Sequence, residues 1–401
     1  LVVVSTGEGI IWTGLADANW NINTTTNWQT ETGLLPTAYL DDGTIGDAVI
    51  FDDSAAGNFA VVVATNVQPA SIRVSNTNIA YTLAGAFPIA GAGGLTKYGP
   101  GSLTPTSSNL IAGSTVVEAG LLVVGSDVAL GAVPVLAATN QLVLGAGATL
   151  RVTGDTVFAA TRGGQVGPVA GVGTATISIP AGVTVTSLNT LADRTAATGG
   201  VIKADAGTWV LNAANTFQGG LTVAGGTVVA IGDSAVNRVA AGTPVTINNG
   251  GTFVFGERNV LSAAVPSPFT VDAGGVLLLT NRPNTLVFHA HLGALTLRGG
   301  EVVGAGSGTG VAYNAEDVQL DGAVTVTGSV ASTLRALNGF GLNGTIAFNV
   351  GDVTGDTNAD LIVTGPGLGG ILQNKDTGNN GLSKTGAGTM RIETNSTYTG
   401  P

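Results

Sequence analysis

Apolar residues in this chain come in bursts of three to five and then break at Gly, Asn, Asp or Pro. Ala60-Val61-Val62-Val63, Ser71-Ile72-Arg73-Val74, Ala80-Tyr81-Thr82-Leu83 and Val318-Gln319-Leu320 are examples. Such runs suit short strands with at least one buried face. Arg73, set between apolar neighbours, should point outward under period-two alternation. From Gly131 the turn signals recur about every 8 to 12 residues, the spacing of an all-β fold. No stretch places apolar residues at i, i+3 and i+4 with charges opposite, so helix is not expected. Asn249-Gly250, Asn338-Gly339, Asn343-Gly344 and Asn380-Gly381 are expected to make corners with positive φ.

One pattern returns three times. From Gly94 the chain reads GLTKYGPGSLTPTSSNLIAGSTVVEAGLLVVG, from Gly200 GVIKADAGTWVLNAANTFQGGLTVAGGTVVAIG, and from Gly381 GLSKTGAGTMRIETNSTYTGP. Each copy has Gly, two residues, then Lys97, Lys203 or Lys384. A turn of small residues follows, then an apolar strand holding Leu103, Trp209 with Leu211, or Met390 with Ile392. Asn109, Asn215 or Asn395 comes next. In the complete copies two further strands are separated by Ala-Gly or Gly-Gly. Each copy is thus read as three strands. A unit this small cannot bury both faces alone and must stack on its like. The recurrent lysine is expected to have a structural role, as an outward side chain at a coil corner.

This pattern resembles the autotransporter-associated β-strand repeat of large bacterial surface proteins, also described as a passenger-associated tandem repeat. The resemblance rests on Gly94-Leu95-Thr96-Lys97, Gly99-Pro100-Gly101-Ser102-Leu103 and Gly381 to Thr389. Upstream, Ile11-Trp12-Thr13-Gly14, Trp20, Asn27-Trp28 and Gly46 to Asp53 resemble a segment that often opens such repeat tracts. The resemblance implies a parallel β-solenoid (β-helix), an extracellular or cell-surface location and no catalytic residues. With about 20 residues to a coil, the chain would make about 20 coils. The expected division is a strand at 1–10 completing a neighbouring repeat, a Trp-rich compact β segment at 11–93, and a solenoid at 94–401.

Composition narrows the classes. Charged residues are 10% of the chain, hydrophobic residues 44%, and 63 residues are Gly. The mean hydropathy is +0.40. Disordered chains are charged and poor in apolar residues, so disorder does not fit. Every long apolar run is broken by Gly, Asn, Asp or Thr, which argues against membrane insertion in this region. A net charge of −11 disfavours nucleic acid or an anionic membrane as partner. No cysteine is present, so stacking and not disulfides must supply stability. With few lysines to guard strand edges, those edges are expected to be paired.

Candidate chemistry is sparse. Trp12, Trp20 and Trp28 are spaced by eight. They read as plugs of a compact β cap, bonded through their indole N–H groups; the alternative is a glycan-binding platform of aromatic faces. Asp41, Asp42, Asp47, Asp52 and Asp53 crowd one flank, and Asp352, Asp356 and Asp360 occupy a turn. Either group could hold Ca²⁺, a cation that takes several oxygens, although acids near Gly more often mark turns and no cofactor is otherwise expected. His289 and His291 alternate on one strand and read as a polar outer face, since no further ligands for zinc lie nearby. No concentrated carboxylate pair, nucleophile motif or phosphate loop is present, so no enzyme is expected.

The two ends carry the last expectation. Leu1, Val2, Val3 and Val4 resemble Leu121 to Val124, the last strand of the repeat. Tyr398, Thr399, Gly400 and Pro401 resemble its middle. Placed together, the ends nearly rebuild one repeat. The function expected is a structural module of an extracellular or cell-surface fibre whose partners are copies of itself, stacked head to tail. The alternative is an autotransporter-like passenger or adhesin that binds glycans or other surfaces.

Overall fold

The computed structural model describes residues 9–232, 237–257, 260–280, 290–305, 318–366, 370–374 and 378–400. The fold is all-β, with a single short 3₁₀ turn, Asp127–Leu130, among the described residues. The chain divides into two compact units, Leu1–Gly200 and Val201–Pro401. The boundary falls at the start of the second repeat copy. Each unit is a parallel β-solenoid.

In the first unit, one sheet stacks Ile10–Trp12, Gly46–Asp52, Pro69–Ser75, Leu95–Tyr98, Thr115–Val117, Ala138–Leu144, Arg162–Val166 and Leu191–Asp193, in that spatial order. A second stacks Asn19–Trp20, Ala60–Val63, Ala80–Ala84, Ser102–Pro105, Leu121–Val124, Thr149–Val152 and Gly171–Ser178. Successive strands in each stack are parallel. The exception is the Trp-rich end. There Ile10–Trp12 pairs antiparallel with Trp28–Thr30, which pairs antiparallel with Pro36–Thr37. This short meander covers one edge of the first sheet and ends on a strand containing Pro, which cannot donate a ladder hydrogen bond.

The second unit repeats the plan. The strand Ala197–Ala204 pairs through Val201, Ile202 and Lys203 with Leu221–Val223. Val245–Ile247, Phe269–Asp272, Leu295–Arg298, Val324–Val326, Thr345–Val350 and Gly381–Thr385 follow in the same sheet. Within this unit a second stack runs from Thr208–Leu211 to Leu361–Thr364 and Met390–Ile392. Ala290–Leu292, Val318–Leu320, Phe340–Leu342 and Leu372–Asn374 form a third.

Alternation sets the core. In Leu221–Val223, Val245–Ile247 and Val324–Val326 the outer two side chains of each triplet are buried and the middle one faces out. Register then lines like positions up into interior columns. Leu221, Val245, Phe269, Leu295, Val324 and Phe348 form one such column, and all six are buried.

Several details differ from the sequence expectation. Each complete repeat is four strands making two coils, because the Gly-Leu-Thr-Lys segment is itself a strand, Leu95–Tyr98, lying over Thr115–Val117. Coils are also longer than about 20 residues outside the repeats. Leu95 lies over Thr115, but Leu221 lies over Val245 and Thr345 over Gly381. The coils number about 13 in consequence. At three of the four Asn-Gly corners the glycine takes positive φ: Gly250, Gly339 and Gly344. Gly381 does not, and opens a strand instead. Arg73 is exposed as expected and pairs with Glu31 at 2.6 Å.

Candidate functional site

The repeat corners are built around lysine side chains. Lys97 stands in an interior column between Val74 and Val117. Its side chain points inward and is 0% exposed, as is that of Lys203. The expectation of outward lysines is therefore corrected for both. Alternation forces this: Leu95 and Lys97 are two apart, so they share the inner face. The buried ammonium is satisfied by carbonyls. Lys97 Nζ donates to Tyr98 O at 2.6 Å, Gly99 O at 2.6 Å and Ala119 O at 3.5 Å. Lys203 Nζ donates to Asp205 O at 2.5 Å, Gly207 O at 2.6 Å and Gly225 O at 2.9 Å. In each copy one acceptor, Ala119 or Gly225, belongs to the next coil. The lysine is thus a staple between consecutive corners. Burial lowers both ammonium groups to about 8.

The small residues of the motif make room for this staple. Gly99 has φ +74° and Asp205, at the equivalent place, φ +64°. That left-handed corner turns its carbonyl toward Nζ. A Cβ on Gly226 would collide with Lys203 Nζ and Gly207 O. The equivalent Gly120 would meet Gly99 O and Gly101 O. Both glycines also have positive φ. Ala-Gly and Gly-Gly in the motif are therefore close-approach corners. Lys384 donates to Gly386 O at 2.9 Å and is exposed.

The motif asparagines do related work. Asn109 Nδ2 donates to Ala129 O at 3.1 Å, and Asn215 Nδ2 to Arg238 O at 2.8 Å. Both are buried and both reach a carbonyl of the next coil. Asn395 is exposed, and its backbone carbonyl accepts from Ile371 N at 2.8 Å. Arg162 escaped the sequence reading. It is fully buried, with Nε on Asp127 Oδ1 at 2.7 Å and its terminal nitrogens on Leu130 O and Gly131 O. Its place in Thr-Arg-Gly-Gly gave no sign of burial.

Trp12, Trp20 and Trp28 are 0%, 0% and 1% exposed. They form an edge-on cluster with Tyr39 and Phe51; ring centroids of Trp12 and Trp28 are 5.0 Å apart, and those of Trp20 and Tyr39 5.5 Å. No ring face is open to a sugar. Trp12 Nε1 donates to Asn58 O at 2.7 Å. Among the described residues the indole nitrogens of Trp20 and Trp28 have no hydrogen-bond partner, so of the three the expected indole bonding is seen for Trp12. Asn27, just before Trp28, is the polar hub of this end. It accepts from Ala16 N and Asp17 N and donates to Asp17, Asn19 O and Thr25.

The acidic candidates are spread among backbone N–H donors. Asp47 accepts from Leu40 N, Asp52 from Ser54 N, and Asp53 from Thr77, Asn78 and Ile79 N. Asp352 accepts from Gly355 N and Asp356 from Asn358 N. Asp360 is buried and accepts from Val353 N, Thr354 N and Thr389 N at 2.7–2.8 Å. Burial pushes the Asp360 carboxyl up, but those donors outweigh it and hold it below its ordinary value. No group of three or more His, Cys, Asp or Glu is placed to hold a metal among the described residues. His289 lies outside the described residues. His291 Nδ1 is 2.8 Å from Asp321 Oδ2 and 14% exposed in its side chain, so it is not on an open polar face.

Of the terminal residues, Leu1, Val2, Val3, Val4 and Pro401 lie outside the described residues. Tyr398, Thr399 and Gly400 run along the coil before them. Thr399 N donates to Asn374 Oδ1 at 3.1 Å, and Gly400 N to Asn380 O at 2.7 Å.

These features define a class: a parallel β-solenoid whose coils are joined at lysine- and glycine-built corners. Three segments, 95–124, 201–230 and 382–401, match the family model of the passenger-associated-transport-repeat. They are the segments that contain Lys97, Lys203 and Lys384. Comparison with curated proteins and with solved structures found no match.

Proposed function

We propose that this chain is a structural, non-enzymatic module of a passenger-type bacterial surface protein, displayed outside the cell and assembled with copies of itself head to tail. The observation that carries the reading is the corner staple. Lys97 and Lys203 each tie two consecutive coils together inside matched repeat segments. Residues built to hold one coil on the next serve stacking.

The coil that carries the third repeat differs from the coils of the other two. The strands Gly381–Thr385 and Met390–Ile392 are each bonded on one side only among the described residues. Lys384 has one carbonyl where Lys97 and Lys203 have three. A glycan platform at Trp12, Trp20 and Trp28 does not fit their burial, which leaves no ring face free.

Native material isolated from the cell surface should run as particles many times 39.3 kDa. Its denatured mass then separates one long chain from many subunits. Native particles of a single unit's mass would overturn the assembly, and material found only inside intact, protease-treated cells would overturn the surface location.

A further inference from the structure

One outward column of the second unit keeps a single residue type over five strands. Thr222, Thr246, Thr270, Thr296 and Thr325 lie in register on five consecutive strands. Two residues before each stand Gly220, Pro244, Pro268, Ala294 and Ala323, on the same outer face. Neighbouring columns do not keep their identity. Two residues after the threonines come Ala224, Asn248, Asp272, Arg298 and Thr327. On the second stack the column from Thr208 runs Thr227, Thr252, Val276, Glu301 and Thr333, and the column from Val210 stays aliphatic as Val229, Val254, Leu278 and Val303 but offers no polar group.

The five hydroxyls are also unused. Among the described residues none of them makes a hydrogen bond, whereas the hydroxyls of Thr115, Thr153 and Thr243 bond to backbone carbonyls. Thr is restricted at χ1, so the row offers methyl and hydroxyl groups with little rotamer freedom. A compact ligand would touch one or two threonines, and the rest would be free to vary. Constancy over five coils serves a ligand that repeats at the strand spacing, about 4.7–4.9 Å. Another parallel β stack has that period by construction, and mismatch does not accumulate along it. Identical in-register side chains on such stacks interdigitate across dry interfaces.

We infer that this threonine row is a lateral contact with the same row of a second copy of the chain. Charge favours the same occupant. The chain carries a net charge of −11, yet these two adjoining columns hold no charged residue, so the row is a place where two copies meet with no like charges in direct contact. The contact is small. Five coils by two columns span on the order of 150 Å², against about 800 Å² per partner in a standard interface. A lone pair therefore binds weakly, and the contact grows strong only where copies are already strung together. That multiplicity rests on the fibre reading above; the contact itself does not.

The absence of native cysteine allows a direct test. Thr270 is the middle of the five, so it faces itself when two rows meet antiparallel. Under mild oxidation the full chain with Thr270→Cys should form a disulfide dimer roughly tenfold faster than one with Thr333→Cys on the other stack, through raised local thiol concentration. Adding Thr246→Lys and Thr296→Lys should remove that difference. Equal rates for the two thiols, or a fast rate that survives the lysines, would overturn the proposal. If Thr270→Cys lowers the melting temperature, sedimentation of the unmodified chain against Thr246→Lys/Thr296→Lys over a concentration series reads the same contact. No difference there counts against it, as does retention of the monomer on ice or crystalline polysaccharide without self-association. End-to-end assembly is scored separately by particle length, which the lysines should leave unchanged.

Discussion

At the residue scale the interior lysine decides most. A buried ammonium is costly unless it is paired or fully hydrogen-bonded, and here three carbonyls take the place of a counterion. Replacing Lys97 or Lys203 with Met keeps the volume but strands those acceptors. Each change should cost about 1–3 kcal/mol, measured by denaturant unfolding. The same groups give a pH signature. Folded Lys97 and Lys203 titrate at about 8, whereas an unfolded lysine titrates near 10.4. Between these values the unfolded chain holds more protons, so their contribution to stability rises with pH from about 8 and is flat below it. Tyr39 and Tyr81 act the other way only above about 10, because burial raises both. Melting temperature measured from pH 7 to 9.5 should therefore rise more steeply in the unmodified chain than in Lys97→Met/Lys203→Met. Parallel curves would refute the buried-ammonium account. Gly226→Ala, which needs a Cβ where Lys203 Nζ lies and has φ +64°, should cost several kcal/mol by steric displacement and strain.

At the scale of elements, the Trp-rich end works as a cover for the first coils. Its meander places antiparallel strands on a sheet edge, and its rings fill the space below. Trp20→Ala removes a ring packed edge-on against Trp28, Tyr39 and Phe51. It should cost about 3–5 kcal/mol, with loss of near-ultraviolet dichroism in the same transition. Unchanged stability would mean that the cluster is not the plug of this end. The turn at Asp360 is the matching device in the second unit. One buried carboxylate holds the Val353–Thr354 turn and Thr389 together. Its lowered value means that the hydrogen-bonded state is lost as pH falls through the acid range, and Asp360→Asn should flatten that acid loss.

At the scale of the whole molecule, coils contact mainly their neighbours, so stability should spread locally. Repeat arrays behave as chains of nearest-neighbour terms. Hydrogen exchange on Lys203→Met should lose most protection in the strands Leu221–Val223 and Gly226–Ala230, with little change at Val324–Val326. Uniform loss would point to one all-or-none unit.

The sequence by itself determined the class. Short apolar bursts broken by Gly and Asn demand strands, and the threefold Lys-Gly pattern demands stacked repeats that match like with like. Both are local signals that need no knowledge of the partner. It also determined that Lys97 and Lys203 are structural, since a catalytic group rarely recurs in every repeat. Only the tertiary structure decided their direction. An inward lysine becomes tolerable when a left-handed corner at Gly99 or Asp205 and the next coil's carbonyl converge on it. Those acceptors are separated from Lys97 by up to 22 residues. The burial of Arg162 was illegible for the same reason, because its carbonyl partners lie about 31 residues away. Coil length was misjudged where corners swell into loops, since strand register fixes what stacks and leaves the connecting length free. The threonine row became a row only when register joined residues 24 to 29 positions apart into one column.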